Sequence, residues 1–232
     1  MLIGYGFLSL VPIFLMWRHS AQRPDQAHGE TEGYGDLLRN RRALFIYASV
    51  FLEGFLLWGA MNYIGSFAIL RYGFDQFTVG LLIAFYGFGT MAGGLLMGRI
   101  RRHFSENALA AWGGALMGVP YLALIPRWPA AAFVAAMLLL GLGFVCMHTT
   151  LQLRGTEIST TARGKAFSLF IFCLFTGMSA GSAAFGRLVD AGLYERMFAV
   201  AGFGLLGLGL ATALSPLGKA KIAEGCPPAT EC

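Results

Sequence analysis

The sequence predicts an all-α, polytopic membrane protein, and three observations support this prediction. Of the 232 residues, 56% are hydrophobic and only 12% are charged, whereas soluble domains carry about 25% charged residues. The mean hydropathy is +0.64. Apolar segments recur along the chain, most of them near the ~20 residues that a helix needs to cross a bilayer. They are continuous rather than alternating, as expected for helices and not for the strands of a transmembrane barrel.

Seven apolar segments predict one short leading span and six full spans. They are residues 2–17, 44–70, 77–97, 108–125, 130–151, 166–185 and 198–214. The first lacks a preceding positive region and a small-residue cleavage site, so it is expected to be a shortened helix rather than a signal peptide. We therefore divide the chain into a leading transmembrane helix (1–17), a cytoplasmic linker (18–42), a six-helix transmembrane bundle (43–216) and a cytoplasmic tail (217–232).

Basic residues predict the orientation. If the loop after residue 17 is cytoplasmic, all but four of the 17 lysines and arginines lie on the inside. The four on the outside are Arg71, Arg127, Arg187 and Arg196. This is the positive-inside bias of membrane proteins, and it explains the net charge of +5 without a nucleic-acid partner. The four cysteines have no metal-ligand spacing, so no metal site is predicted.

A short segment occurs twice, 88 residues apart. GTMAGGLLMGRI at 89–100 and GMSAGSAAFGRL at 177–188 agree at five of twelve positions. These are Gly89/Gly177, Ala92/Ala180, Gly93/Gly181, Gly98/Gly186 and Arg99/Arg187. Small residues let neighbouring helices approach closely where lipid supplies no hydrophobic drive to associate. We therefore expect Gly89, Gly93, Gly177, Gly181 and Gly186 to pack helices together.

Glu53 is the only acidic residue inside a predicted span. It lies nine residues after Leu44, ~14 Å along a helix and close to the membrane midplane. A carboxylate there is costly unless it is protonated, paired or facing water, so Glu53 is a candidate functional residue. Alternatively, the helix begins near Tyr47 and Glu53 faces a shallow hydrated vestibule. Asn62, nine residues further on, would lie on the opposite side of a straight helix.

Two polar residues lie toward the inner end of the segment at 130–151. His148 and Gln152 are four residues apart and share one helix face. They either contact a solute or lie at the membrane interface. The interface is favoured, because a histidine near a helix end costs little there.

Two other classes of membrane protein fit the sequence poorly. A membrane enzyme would need clustered nucleophiles, acids or metal ligands, and His103, Glu106 and Glu157 are scattered, so no enzyme is expected. A retinal protein needs a lysine in its last span, and residues 198–214 contain none. A seven-helix receptor gives no explanation of the repeated segment.

Two segments resemble the major facilitator superfamily. LQLRGTEISTTARGKAFSLFIFCLFTGMSAGSAAFGRLVDAGLYE is similar to the passage from the tenth to the eleventh helix, particularly in the drug/proton antiporter-like branch. GGLLMGRIRRHF resembles the glycine-rich, basic cytoplasmic loop motif between the eighth and ninth helices, with Gly94, Gly98, Arg99 and Arg102 on motif positions. The usual acidic residue is absent, with Gly98 or Arg102 in its place, and Ser105 replaces an expected glycine.

The resemblance covers essentially the whole chain and implies its architecture. Residues 2–17 would be a remnant of helix six, the linker would be the central cytoplasmic loop, and residues 44–214 would be helices seven to twelve. The bundle would then be the C-terminal half of the fold, built from two inverted three-helix repeats. Helices eight and eleven would be the middle members, which agrees with Arg99 ending its helix inside and Arg187 ending its helix outside.

The resemblance also implies a function. It predicts proton-coupled efflux of a small organic solute by alternating access, as an antiporter in the bacterial inner membrane. No cofactor is expected beyond the transmembrane proton gradient. Glu53 would be the proton-coupling or cation-binding acid of the complete transporter. The candidate substrate-cavity residues are Trp58, Asn62, Tyr86 and Thr176.

The resemblance predicts partners as well. These are the lipid bilayer, a small-molecule substrate and an N-terminal six-helix half, because the first five helices are missing from this sequence. Without that half the chain is not expected to transport. Alternatively, it is a non-transporting membrane fragment or an accessory subunit that pairs with a separate six-helix partner.

Overall fold

Helices are the only regular elements in the parts of the chain that this computed structural model describes, residues 33–126 and 129–216. The first is a short helix, α1 (Tyr34–Arg39). The leading helix expected at 1–17, most of the linker, the tail at 217–232 and Arg127 lie outside the described residues.

The first span of the bundle begins at Arg41 and is interrupted. Asn40 caps it by accepting a hydrogen bond from the backbone N–H of Arg42 at 2.9 Å. The span consists of α2 (Arg41–Glu53), a π-helical segment (Gly54–Trp58, the π segment), α3 (Gly59–Met61) and, after a turn at residues 62–63, α4 (Ile64–Tyr72). A single helix over 44–70 was expected, so the interruption is a feature that the apolar pattern does not show.

Five long helices follow the first span. They are α5 (Gln76–His103), α6 (Glu106–Ala123), α7 (Ala130–Thr156), α8 (Arg163–Asp190) and α9 (Tyr194–Leu214). The first span, α5, α7, α8 and α9 are long and apolar enough to cross a membrane. The 18-residue α6 has Glu106 and Asn107 in its first turn and Pro120 within it. The prediction of an all-α polytopic membrane protein is confirmed.

The packing of the helices is reciprocal. The middle helix α5 packs on α7, and the middle helix α8 packs on the first span. The remaining pair, α6 and α9, pack against each other. The first span, α5 and α6 correspond to one three-helix unit, and α7, α8 and α9 correspond to the other. The middle helix of each unit therefore packs on the first helix of the other unit, as in a bundle built from inverted repeats.

The repeated segments contain very close approaches between helices. A Cβ on Gly177 or Gly181 would collide with the carbonyl oxygen of Phe51 or Phe55 in the first span. A Cβ on Gly89 would collide with a carbonyl oxygen of α7. Only glycine allows these backbones to come so close.

The other repeat glycines have different surroundings. A Cβ on Gly93 would lie 3.1 Å from the Val145 side chain, and one on Gly186 would lie 2.7 Å from the Tyr63 hydroxyl. Gly94 and Gly98 face open space, with nothing within 4 Å of an added Cβ. One repeat copy therefore has glycines on both a packed and an open face.

The open and packed glycines allow a matched comparison. We expect Gly181→Ala to destabilise the bundle by about 1–3 kcal/mol, because the new methyl group forces α8 away from the first span. Gly94→Ala should be neutral or stabilising by up to about 1 kcal/mol, since alanine has the higher helix propensity. Thermal unfolding of both variants in detergent tests this. Equal losses of stability would contradict the packing role of the repeat.

Buried polar contacts join α6, α7 and α9 near the ends that the sequence predicts to be cytoplasmic. Arg154 is only 1% exposed and donates to the Thr212 carbonyl oxygen at 3.1 Å and to Asn107 Oδ1 at 2.8 Å. Its Nε lies 3.7 Å from a Glu106 carboxylate oxygen. A single side chain on α7 therefore holds two other helices.

Candidate functional site

Glu53 lies at the end of α2 and is fully buried. The helix begins twelve residues earlier, at Arg41, so Glu53 lies ~18 Å along it. A helix that starts near Tyr47, with Glu53 in a shallow hydrated vestibule, is therefore not what the structure shows. A buried carboxylate requires a partner or a proton.

The partner of Glu53 is His148 on α7. Nδ1 of the imidazole lies 2.9 Å from Oε2 of the carboxylate. The other carboxylate oxygen, Oε1, is buried and has no hydrogen-bond partner among the described residues. His148 is itself largely buried, with 16% of its side chain exposed. The pair can hold a proton on either residue, which makes it a chemically competent proton-exchange site.

Aromatic rings surround the Glu53–His148 pair. Phe144 stacks on the imidazole with a ring-centroid distance of 4.8 Å, and Phe170 approaches it at 5.6 Å. Trp58 packs edge-on against Phe144 at 5.7 Å and against Tyr86 at 5.6 Å. The rings leave the carboxylate and the imidazole as each other's main polar contact, which strengthens their interaction in a medium of low dielectric constant.

Tyr86 adds a second polar group to the site. Its hydroxyl is buried and has no hydrogen-bond partner among the described residues. Its ring packs against Trp58, which in turn packs against Phe144 beside His148. Buried polar groups are nearly always hydrogen-bonded, so the Tyr86 hydroxyl and Oε1 of Glu53 stand out as buried polar atoms without a partner among the described residues.

The π segment directly follows Glu53 and is held by its neighbours. The carbonyl oxygen of Leu57 accepts a hydrogen bond from the hydroxyl of the buried Tyr121 on α6 at 2.7 Å. At the start of the segment, a Cβ on Gly54 would lie 2.5 Å from the Leu174 carbonyl oxygen of α8. π-helical turns occur frequently at functional sites, because they change the direction in which side chains point.

Removing the Tyr121 hydroxyl should loosen the π segment. We expect Tyr121→Phe to destabilise the bundle by about 1 kcal/mol, because the Leu57 carbonyl oxygen loses this hydrogen bond in an apolar interior. Tyr72→Phe is the control, since no hydrogen bond of the Tyr72 hydroxyl is found in the described structure. Thermal unfolding in detergent measures both variants, and a larger loss in Tyr72→Phe would contradict this role of Tyr121.

Two of the candidate cavity residues lie away from the Glu53–His148 pair. Asn62 is at the turn that follows α3, and its side-chain amide donates to the hydroxyl of Ser182 on α8. Thr176 lies on an exposed face of α8 and donates to its own helix, to the Phe172 carbonyl oxygen at 2.7 Å. The candidates Glu53, Trp58 and Tyr86 come together, whereas Asn62 and Thr176 do not join them.

The inner loop motif is solvent-facing. Arg99 and Arg102 are exposed, and neither forms an ion pair with any described residue. Arg101 instead pairs with Glu106 at 3.7 Å. Ser105, which stands where the motif has glycine, caps α6 by accepting a hydrogen bond from the Ala108 N–H at 3.3 Å. Arg101, which the resemblance did not single out, is therefore the motif residue that connects α5 to α6.

Sequence reasoning missed His148 as the partner of Glu53. It placed His148 at the membrane interface and found no second ionisable group nearby, because the two residues are 95 positions apart. One signal was available, since His148 is the only histidine inside an apolar segment. A lone acid and a lone histidine within spans are natural candidates for pairing.

Comparison with known proteins assigns a family. The model of the Major Facilitator Superfamily matches residues 1–182. Two curated relatives are named probable sugar efflux transporter, from Haemophilus influenzae strains PittGG and Rd. Each is 26% identical over 203 residues, an alignment that covers 86% of this chain and 51% of the relative. The chain thus spans about half the length of these relatives.

A solved structure shows the same fold. The crystal structure of a variant of the peptide transporter POT, in complex with sulfate, matches with a TM-score of 0.68 at 20% identity. The match covers 82% of this chain and 41% of that chain. The proteins found in both comparisons are transporters, in agreement with the expectation that the chain is not an enzyme. The family match and the helical fold together show that this chain belongs to the major facilitator superfamily.

Proposed function

We propose that the chain forms one six-helix half of a proton-coupled efflux transporter for small organic solutes, with sugars as the substrate class. The observation that supports this most strongly is the buried Glu53–His148 pair in an otherwise apolar bundle. Ionisable residues inside a membrane are costly, and they mark ion pathways and proton relays.

The pair suits exchange of a proton for a solute. While Glu53 is charged, His148 or a donor on the solute must neutralise it. When a proton arrives at Glu53, the ion pair is lost and the solute loses an acceptor. Binding of proton and solute therefore oppose each other, which is the thermodynamic requirement of an antiporter.

The interrupted first span supports a site at this depth. Secondary transporters bind solutes near the membrane midplane, on helices that are broken there. Glu53 and Trp58 lie at the two ends of this interruption, immediately before the π segment and at its last residue. The acid and the aromatic ring are therefore about one turn apart along the first span.

The substrate class follows from the relatives' name and the groups in the site. A sugar has hydroxyl groups and an apolar ring face. Oε1 of Glu53 and the Tyr86 hydroxyl can bind the hydroxyl groups, and the Trp58 ring can pack against the ring face. Asn62 and Thr176 remain candidates for the wider cavity, on the surfaces beside α8.

Transport by alternating access requires a second six-helix half that rocks against this one around the site. We propose that this half is the N-terminal half of the transporter and that the protein resides in a bacterial inner membrane. The alternative is an accessory subunit that pairs with a separate six-helix protein. Affinity purification after mild solubilisation distinguishes them, since only an accessory subunit co-purifies with a different, intact membrane protein.

The function is tested with the complete transporter in proteoliposomes. With an acidic interior, labelled sugar should accumulate inside, because outward proton flow drives sugar inward through an antiporter. Collapsing the pH gradient should abolish the accumulation. Accumulation of equal size without a pH gradient would contradict proton coupling. No sugar movement in either case, with a folded protein, would contradict the substrate class.

A further inference from the structure

An apolar groove lies between α5, α6 and α7, near their inner ends. Both α5 and α6 pack on α7, but they have little contact with each other. The groove between them has a volume of about 170 Å³, and its lining is apolar. The lining includes Ile100, Phe104, Leu109, Trp112, Leu116 and Leu142. It faces outward, since Trp112 is 58% exposed and Phe104 is 48% exposed.

Cationic groups border the inner end of this groove. His103 lies three residues after Ile100 within α5, and Arg101 contacts Glu106, which lies three residues before Leu109 within α6. Residues three apart are neighbours on a helix surface, so both side chains flank the groove. Both are exposed. Arg102, in contrast, is two residues from Ile100, about 200° around α5, and points away from the groove.

Glu106, the acid that contacts Arg101, does not cancel the positive charge beside the groove. Glu106 lies 3.7 Å from Arg101 across the groove mouth and 3.7 Å from Arg154. Two guanidinium groups thus share one carboxylate, which leaves a net positive charge. The groove therefore has an apolar lining, and the side chains at its inner end carry more positive than negative charge.

We propose that the groove binds an anionic phospholipid of the inner leaflet. One acyl chain lies along the apolar lining, and the headgroup phosphate accepts hydrogen bonds from Arg101 and His103. Basic pockets between transmembrane helices on the cytoplasmic side are known to bind anionic headgroups. The charge excess selects an anionic lipid over a zwitterionic lipid. This site is separate from the Glu53–His148 pair and does not depend on the transported solute.

Trp112 provides a direct readout, because it lines the groove. The 232-residue chain is prepared with its other three tryptophans replaced by phenylalanine, so that Trp112 is the only source of tryptophan fluorescence. It is reconstituted in phosphatidylcholine, and phosphatidylglycerol with brominated acyl chains is added in small amounts. Bromine quenches tryptophan on contact. We expect half-maximal quenching at a mole fraction of phosphatidylglycerol far below that of brominated phosphatidylcholine.

Three variants test the contacts. Arg101→Gln should weaken binding of phosphatidylglycerol about fivefold, since a basic residue near an anionic surface contributes about 1 kcal/mol. Arg102→Gln is the matched control, with the same change of charge one residue away on a side chain that points away from the groove, and it should have a smaller effect. Glu106→Gln should strengthen binding, because it removes a competing carboxylate. Because Glu106→Gln is expected to raise the affinity for phosphatidylglycerol, it tests the proposal even if Arg101→Gln folds poorly.

Each result decides the proposal. Preference for phosphatidylglycerol, with a larger effect of Arg101→Gln than of Arg102→Gln, supports it. Equal quenching by both brominated lipids would show an apolar contact without headgroup recognition and overturn it. Equal effects of the two arginine variants would show general surface attraction and overturn it as well. Absence of quenching by any brominated lipid would show that protein covers the groove, which also overturns it.

Discussion

Replacing Glu53 with glutamine should remove the pH-driven part of transport from the complete protein. Glutamine keeps the shape and can still contact His148, but it cannot ionise. We expect sugar accumulation driven by a pH gradient to fall by about tenfold or more, within the range of coupling free energies between linked sites. Counterflow of sugar at equal pH on both sides should persist, because exchange of sugar for sugar needs no net proton transfer. Its rate should no longer depend on pH.

The matched control for this prediction is Glu157→Gln. Glu157 follows α7 on the inner side, where it is partly exposed and lies 3.8 Å from Arg42. The Glu157→Gln substitution removes the same charge as Glu53→Gln but leaves the Glu53–His148 pair unchanged. Unchanged pH coupling in Glu53→Gln, or the same loss in Glu157→Gln, would contradict a special role of Glu53.

Replacing Arg154 with alanine should cause a large loss of stability. The substitution leaves the Thr212 carbonyl oxygen and the Asn107 side chain without their donor, and it removes one of the two guanidinium groups beside Glu106. We expect a loss of about 3 kcal/mol, since breaking a buried charged network is among the most destabilising single changes. Unfolding with denaturing detergent measures the loss.

Two further variants make the Arg154 prediction specific. Arg163→Ala removes an exposed arginine at the start of α8 and should change stability by less than about 0.5 kcal/mol. Arg154→Met keeps much of the volume and should cost less than Arg154→Ala, because a well-packed apolar side chain can replace a buried ion. Equal stability of Arg154→Ala and Arg163→Ala would contradict the role of Arg154 in joining the helices.

The spans and the lone acid could be predicted because they are local properties of the sequence. Hydropathy alone locates six apolar segments between residues 44 and 214, and Glu53 is the only acid within them. The repeated glycines also fall where helices approach very closely, at Gly89, Gly177 and Gly181. Small residues have few other reasons to recur at this spacing.

The composition of the site could not be predicted because it depends on how the helices are rotated against each other. Glu53 and His148 meet only because α7 packs beside the first span. The π segment depends on tertiary contacts, such as the hydrogen bond from Tyr121 to Leu57. A straight-helix projection therefore gave an incomplete description of the residues after Glu53.

The most direct test is whether solute binding releases a proton from Glu53. The purified complete transporter is placed in weakly buffered detergent solution with a pH indicator, and sugar is added. Because binding of proton and solute oppose each other, we expect release of about one proton per bound sugar from the wild type. We expect no release from Glu53→Gln, although it still binds sugar. Proton release of equal size from Glu53→Gln would contradict the assignment of the Glu53–His148 pair as the coupling site.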